Sequence, residues 1–378
     1  VVPMQNKEKV SQYFPGAITY RGYVSYLDSN LEGLEQIYIL KGGPGTGKAT
    51  LIRQIAEAMT EAGHDAELLW CSSDVRSLDG VIFRDAGLAI LDGTAPHTRD
   101  PKYPGVRDIL VDLGRYWDRE VLQKNRKEII SLTDENKALY QEVYDQLKKA
   151  RDFRLRRRGL YKIRLDERGM EGWLQALLED QFQGNKPPQE PSRHRFYTLM
   201  APQGPYSFFD ELRERARGGC CFLADEPEIG SKVLTHIAKM AQAKGCGLWY
   251  CHSDQEPEEL CAIYLPEEKL LFWQTDQYPD YEEKLRCKCG DGEETGICRV
   301  YRLDSWYRKQ INSRNQLESD FLTTAIEDAK KRAQKLLNDN KKIHDKLETY
   351  YIKAMDFDAM KKEKEGLIRE FLSGGGLR

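Results

Sequence analysis

The chain has 378 residues, of which 40% are hydrophobic and 31% charged, so two ordinary domains with apolar cores are expected. The formal net charge of −3 excludes a polycationic nucleic-acid coat, and no apolar stretch approaches the ~18–20 residues that span a bilayer. The first residues carry no signal-peptide-like run and the nine cysteines have no regular spacing, so we expect a cytoplasmic protein with reduced thiols and no membrane segment.

Residues 42–48 match the phosphate-binding motif G-x-x-x-x-G-K. An apolar run at 37–40 predicts a buried strand before the loop, and apolar residues at helical spacing from Leu51 to Met59 predict a helix after it. Glycines let backbone N–H groups converge on phosphate oxygens, while the helix N-terminus and Lys48 add positive charge. The predicted ligands are ATP and Mg²⁺, and the predicted binding residues are Gly42, Gly43, Pro44, Gly45, Thr46, Gly47, Lys48, Ala49 and Thr50.

One position departs from the motif. The residue after Lys48 is normally Ser or Thr, whose hydroxyl coordinates Mg²⁺, and here it is Ala49. Thr50 lies about 100° further round the predicted helix and is not expected to substitute. Losing such a contact is worth roughly 1.5–3 kcal/mol, so we expect nucleotide binding to survive and hydrolysis to be slow or absent.

Two carboxylates compete for the catalytic role in orienting water or holding Mg²⁺. Asp92 ends the apolar run 88–91, as in a Walker B strand, and Asp74 follows the apolar run 68–71. We predict Lys48, Asp92 and Asp74 as catalytic candidates and Asp92 as the metal ligand. His97 follows in the next loop and is expected to be an ordinary surface histidine.

The segments at 119–180 and 305–372 are rich in Glu, Lys, Gln, Leu and Ala and have no interior proline, which favours long helices. Residues 148–168 carry ten Lys or Arg against three acids, with aromatic and aliphatic residues between them. This run predicts either a nucleic-acid contact or a basic arm that is solvated or docked on an acidic surface. An arginine reaching the nucleotide is a further alternative.

An internal repeat relates the two halves of the chain. Residues 14–96 and 196–278 present the same features in the same order and share the pattern Cys-x-Ser-Asp, at 71–74 and 251–254. Residues 340–357 repeat 136–153, so Asp356 matches Asp152. The predicted domains are a nucleotide-binding domain (1–118), a helical arm with linker (119–190), a degenerate P-loop-like domain (191–304) and a C-terminal arm (305–378).

The second copy has lost the loop chemistry. Asp225, Glu226 and Glu228 replace three loop glycines and Ser231 replaces the lysine, so repulsion and added Cβ atoms exclude a triphosphate. An alternative is that 221–227 forms the Walker B strand of an ABC-type ATPase, but no LSGGQ-like signature precedes it. In a third interpretation this acidic pair faces the nucleotide of the first copy.

Three cysteines near the end of the second copy form a weaker pattern. Cys287, Cys289 and Cys298 supply three of the four ligands that a structural zinc site needs. A β-hairpin with its turn at 290–292 explains the same residues without a metal.

Several segments of the first copy resemble a known family. They are 38–48, 71–74, 77–80, 91–97, 100–105 and Trp117-Asp118. They are similar to an uncharacterised bacterial family of P-loop ATPase-like proteins, mostly from Gram-positive organisms. The resemblance implies a P-loop fold and ATP binding. That family usually has Ser after the lysine, so Ala49 is a departure from its pattern.

Together these patterns predict an α/β protein of tandem P-loop NTPase-like domains, the second degenerate, each followed by a helical arm. The expected function is an ATP-binding NTPase with one competent site that couples nucleotide state to the arms, which offer a surface for a protein partner. The alternatives are a pseudo-ATPase scaffold without turnover and a small-molecule kinase, for which no acceptor pocket is specified.

Overall fold

A computed structural model describes residues 10–95, 98–181, 191–224, 229–275, 298–303 and 306–375. Several predicted features lie outside these ranges. They are His97, residues 185–190 of the predicted linker, the acidic residues Asp225, Glu226 and Glu228, and the cysteines Cys287 and Cys289, while Cys298 is described only in its backbone.

The first repeat forms a six-stranded mixed sheet in the order β1-β5-β6-β7-β4-β8. Strand β6 is antiparallel to both of its neighbours, and the other pairs are parallel. A small hairpin, β2–β3, stands beside it. The elements are β1 (Val10–Tyr13), β2 (Gly16–Thr19), β3 (Gly22–Ser25), α1 (Leu27–Asn30), β4 (Gln36–Lys41), α2 (Lys48–Glu61), β5 (Ala66–Trp70), β6 (Leu78–Phe83), β7 (Leu88–Asp92) and β8 (Asp108–Asp112).

The helical segment between the repeats follows a 3₁₀ turn at Leu113–Tyr116. The carboxylate of Asp118 caps the first helix by accepting from the N–H groups of Glu120 and Val121. The elements are α3 (Arg119–Lys124), α4 (Arg126–Gly159), β9 (Lys162–Leu165) and α5 (Glu167–Gln181).

The second repeat builds a sheet of the same design, in the order β10-β14-β15-β16-β13-β17, with β15 antiparallel to its neighbours. Both repeats are therefore mixed α/β structures, which confirms the predicted fold class at that level. The elements are β10 (Arg193–Phe196), β11 (Thr198–Ala201), β12 (Gly204–Ser207), α6 (Phe209–Arg215), β13 (Gly219–Ala224), α7 (Gly230–Ala243), β14 (Trp249–His252), β15 (Leu260–Leu265), β16 (Leu270–Thr275) and β17 (Cys298–Arg302).

The chain continues through β18 (Tyr307–Gln310), α8 (Ser313–Ala354) and α9 (Phe357–Leu372). Strand β18 pairs with β9. Asp356 caps α9 by accepting from the N–H of Ala359 at 2.9 Å, just as Asp166 accepts from the N–H of Gly169 at 3.0 Å at the start of α5. Asp152, which the sequence repeat aligns with Asp356, lies inside α4, and Asp166 holds the capping position equivalent to that of Asp356.

The chain forms two compact units, each built from separate segments. Unit 1 comprises residues 1–145, 200–206 and 332–378, and unit 2 comprises 146–199 and 207–331. The first sheet therefore shares its unit with α9, and the second sheet shares its unit with α5. Each repeat contributes its final helix to the unit that holds the other repeat's sheet.

The core of unit 1 joins α2, one face of the sheet and α9. Its buried residues include Leu51, Ile52 and Ile55 of α2 and Met360, Leu367 and Phe371 of α9. The Tyr38 hydroxyl donates to Glu370 Oε1 at 2.7 Å, which ties α9 to the strand before the glycine loop. The core of unit 2 joins α7 and the second sheet to Met170, Leu174 and Leu177 of α5. Among the residues that the structure describes, no helix has the length and apolar character of a membrane span.

Candidate functional site

The glycine loop 42–48 connects β4 to α2, which is the strand–loop–helix order that the sequence predicts. Gly45 and Gly47 have φ values of +71° and +79°, in the left-handed region that favours glycine. Inside the loop the Thr46 hydroxyl donates to the carbonyl oxygen of Gly43 at 2.9 Å. The loop therefore ends at a helix N-terminus, where unpaired N–H groups and the helix dipole favour an anion.

Lys48 is the first residue of α2 and is buried. Its Nζ donates to the carbonyl oxygens of Gly42 and Gly43, at 3.0 and 2.8 Å, and lies 3.6 Å from Asp92 Oδ2. Because β7 is the parallel neighbour of β4, Asp92 stands opposite Leu40 at the end of its strand. The structure thus brings together Lys48 and Asp92, two of the three catalytic candidates that the sequence predicts.

The other oxygen of Asp92 is held by its own loop. Asp92 Oδ1 accepts from the backbone N–H of Thr94 at 2.9 Å and from the Thr94 hydroxyl. Ala49 and Thr50 lie in the first turn of α2, where Ala49 is half-buried and Thr50 is exposed. The predicted metal ligand, Asp92, has its carboxylate beside the lysine, whereas Ala49 offers no side-chain oxygen.

Asp74, the competing carboxylate, has other partners. It accepts from the N–H and the Nε of Arg76 at 3.0 and 3.2 Å, and lies 3.2 Å from Lys341 Nζ of α8. Burial raises the pKa of Asp74, but the bonds from Arg76 and the charge of Lys341 outweigh it and hold that pKa below its ordinary value. Asp74 therefore links the loop after β5 to α8, and Asp92 is the candidate that reaches Lys48.

Helices α8 and α9 lie directly against the glycine loop. A Cβ atom at Gly43 would be 2.9 Å from the Tyr351 ring, and one at Gly45 would be 2.7 Å from Ile352 Cγ1 and 3.0 Å from the Glu348 carbonyl oxygen. A Cβ atom at Gly47 would be 3.3 Å from Met360 Cε and 3.4 Å from Lys364 Nζ. Sequence reasoning missed these five residues of the C-terminal arm. The sequence predicts the helical arm that carries them. Helical periodicity does not indicate which surface that arm packs against.

A group able to ligate metal lies on the same helix. His344, Asp345 and Glu348 each offer one ligand atom, and these atoms lie within 4.8 Å of one another. Burial lowers the pKa of His344, and the charges of Lys341 and Lys48 lower it further, against the opposing effect of Glu348 and Asp345.

A cavity of about 200 Å³ opens on the other side of Asp92. Three carboxylates and one guanidinium line it, from Asp28, Asp79, Asp92 and Arg99, and the last pairs with Asp28 at 2.7 Å. Tyr23 also lines this cavity, and burial together with the charge of Asp79 raises its pKa well above the ordinary value. Asp92 therefore borders both the loop lysine and an acidic cavity.

The second repeat has no lysine at the matching position. Ser231 is buried there, and its Oγ accepts from the backbone N–H of Leu260 at 3.0 Å. The Ser231 side chain therefore links α7 to β15.

The basic run 148–168 is paired within unit 2. Arg151 and Arg154 lie 3.2 and 2.5 Å from the buried Glu256, and Arg158 lies 3.0 Å from Glu259. Arg156 lies 2.5 Å from Glu318. These contacts favour the interpretation of an arm docked on acidic residues, and a nucleic-acid contact stays a prediction.

Comparison with known proteins found no matching family model, no matching curated protein and no matching solved structure. The functional argument therefore rests on the residues and geometry of this chain.

Proposed function

We propose that the chain is an ATP-binding P-loop NTPase with a single competent site in unit 1, which couples nucleotide state to α8 and α9. One observation carries this proposal. The loop 42–48, with Lys48 and Asp92 at its base, lies in contact with six residues of those two helices. A ligand held by the loop is therefore felt by both helices.

The ion pair of Lys48 and Asp92 supports phosphate binding. A triphosphate at the loop would compete with Asp92 and with the two loop carbonyls for the lysine ammonium. Because Lys48 is buried, its attraction to phosphate is screened less than that of a surface lysine. Asp92 would hold Mg²⁺ in this site, and that ion would neutralise part of the phosphate charge when bound.

Coupling follows from the close packing around the loop. The gap between Gly45 and the α8 residues Glu348 and Ile352 has no room for a methyl group. A phosphate group that draws the loop N–H groups inward changes these contacts, so the arm responds to occupancy through packing.

Ala49 favours a second candidate, a pseudo-ATPase that binds nucleotide without turnover. The side chain at this position supplies no metal ligand, and Thr50 points to an exposed position. Both candidates predict nucleotide binding at the same loop, and they differ in whether phosphate is released.

Isothermal titration with ATP tests the shared prediction. We expect the unsubstituted chain to bind ATP. Lys48→Ala should lose at least tenfold in affinity, because a buried charged contact is worth roughly 1.5–3 kcal/mol. Lys137→Ala, at an exposed lysine, is the control and should bind ATP normally. Unchanged binding in Lys48→Ala would contradict the proposal. Phosphate release by the unsubstituted chain then separates the NTPase from the pseudo-ATPase.

A further inference from the structure

Helix α9 brings a second ammonium group to the glycine loop. Lys364 Nζ would lie 3.4 Å from a Cβ atom on Gly47, the residue that precedes Lys48 and caps α2. This side chain is half-buried, and within the described part of the chain no carboxylate forms an ion pair with it. Burial lowers the pKa of Lys364, as expected for an ammonium that lacks a compensating anion.

Unit 2, which holds the sheet of the second repeat together with α5, supplies an internal comparison. Helices α5 and α9 begin after equivalent capping residues: the N–H of Asp166 donates to Trp306 O at 2.7 Å, and the N–H of Asp356 donates to Tyr116 O at 3.0 Å. Counted from these caps, Met170 matches Met360 and Leu177 matches Leu367, and all four are buried core residues.

At the same count, Lys364 matches Leu174. Leu174 is fully buried at 0% exposure in the core that contains α7, where the repeat has lost its phosphate loop. The helix therefore carries lysine where the glycine loop is intact and leucine where it is not. An apolar residue satisfies the packing at this position, so the lysine needs another explanation.

We propose that Lys364 is a second phosphate-binding cation of the 42–48 loop, supplied by the C-terminal helix. This inference rests on the proposed function, since it assigns a further ligand to the same nucleotide. The Lys364 ammonium lies beside Gly47, the last loop residue before Lys48. Both ammonium groups therefore bind the phosphates of the same nucleotide. The ligand class is a nucleoside di- or triphosphate, recognised by its phosphates.

The test uses the full chain, titrated with ATP and separately with tripolyphosphate. We expect Lys364→Met to lower the affinity for ATP and for tripolyphosphate by about tenfold each. One charged contact to phosphate is lost in both cases, and the nucleotide base takes no part in it. Lys364→Arg should recover most of that affinity. Lys361→Met is the matched control, since Lys361 is exposed on the same helix, and it should bind normally.

Stability separates a lost ligand from a damaged fold. Leu174 occupies this position in unit 2, so Lys364→Met should keep or raise the melting temperature while affinity falls. Tight ATP binding that is lost in Lys48→Ala yet unchanged in Lys364→Met overturns this inference alone. If the unsubstituted chain binds neither ATP nor tripolyphosphate, the proposed function and this inference are both overturned.

Discussion

At the residue scale, we expect Ala49 to limit turnover at the proposed site. Its side chain sits in the first turn of α2 beside Lys48, where a hydroxyl would face a bound metal. We expect Ala49→Ser to leave ATP affinity within about twofold and to raise Mg²⁺-dependent phosphate release, because the added ligand positions the metal without adding charge. A phosphate-release assay with and without Mg²⁺ measures this. Equal turnover in the two chains would mean that the missing hydroxyl is not what limits hydrolysis.

His252 makes the stability of unit 2 depend on pH. Its Nδ1 donates to the carbonyl oxygen of Pro257 at 2.7 Å, and its Nε2 lies 2.8 Å from His194 Nδ1. Burial, and then the charge of His194, lower the pKa of His252 to about 4. The unfolded chain takes up this proton as the pH falls below about 6.5, whereas the folded chain takes it up only near pH 4. The free energy of unfolding is therefore highest above about pH 6.5 and decreases as the pH falls towards 4.

The expected loss between pH 6.5 and 4 is about 3 kcal/mol in the free energy of unfolding. Urea denaturation at several pH values measures it. His252→Asn should flatten this pH dependence, whereas His236→Gln, a change on the half-exposed face of α7, should leave it in place. A slope that persists in His252→Asn would assign the effect to other groups.

At the scale of elements, the contact between the glycine loop and α8 is the feature to test. Gly45 combines a φ of +71° with a Cβ position 2.7 Å from Ile352, whereas Gly33 has a φ of +79° and no atom within 4 Å of its Cβ position. Gly33→Ala therefore costs the backbone strain alone, about 1–2 kcal/mol, and Gly45→Ala adds overpacking of about 1–3 kcal/mol. Urea denaturation compares them, and equal losses would contradict close packing at the loop.

Much of the element-level description follows from local sequence. The apolar run at 37–40, the glycines and the helical spacing after Lys48 predict β4, the loop and α2, because each is encoded within a few residues. The choice between Asp92 and Asp74 stayed open, since both end apolar runs. Strand pairing places Asp92 beside Lys48, because β7 is the neighbour of β4, whereas Asp74 pairs with Lys341 of α8.

The place of α9 is the part that the sequence did not predict. Met360, Lys364 and Phe371 show the spacing of an amphipathic helix, and that spacing indicates an apolar face without naming the surface it covers. The partner surface belongs to the other repeat, so only long-range packing determines it. The same limit hid Lys364, which looks like one lysine among many until its distance from Gly47 is known.

At the scale of the whole molecule, we expect bound nucleotide to change hydrogen exchange in the C-terminal arm and to leave that of the first arm unchanged. Residues 348–372 contact the loop or share a core with α2, so ATP should slow amide hydrogen exchange there. Helix α5 packs on α7, where Ser231 replaces the loop lysine, and its exchange should not change. Hydrogen exchange followed by mass spectrometry, with and without ATP, measures both. Equal protection of α5 and α9 would contradict a single competent site.

The exchange of final helices between the repeats also sets an order of events during synthesis. Tyr38 and its partner Glu370 lie 332 residues apart, so the first sheet leaves the ribosome long before the helix that completes its core. Until then Leu51, Ile55 and their neighbours lack the cover that Met360 and Phe371 supply. Contacts this distant in sequence slow folding and leave apolar surface exposed to chaperones and to aggregation in the nascent chain. The surroundings of the glycine loop are thus completed only after α9 has been translated.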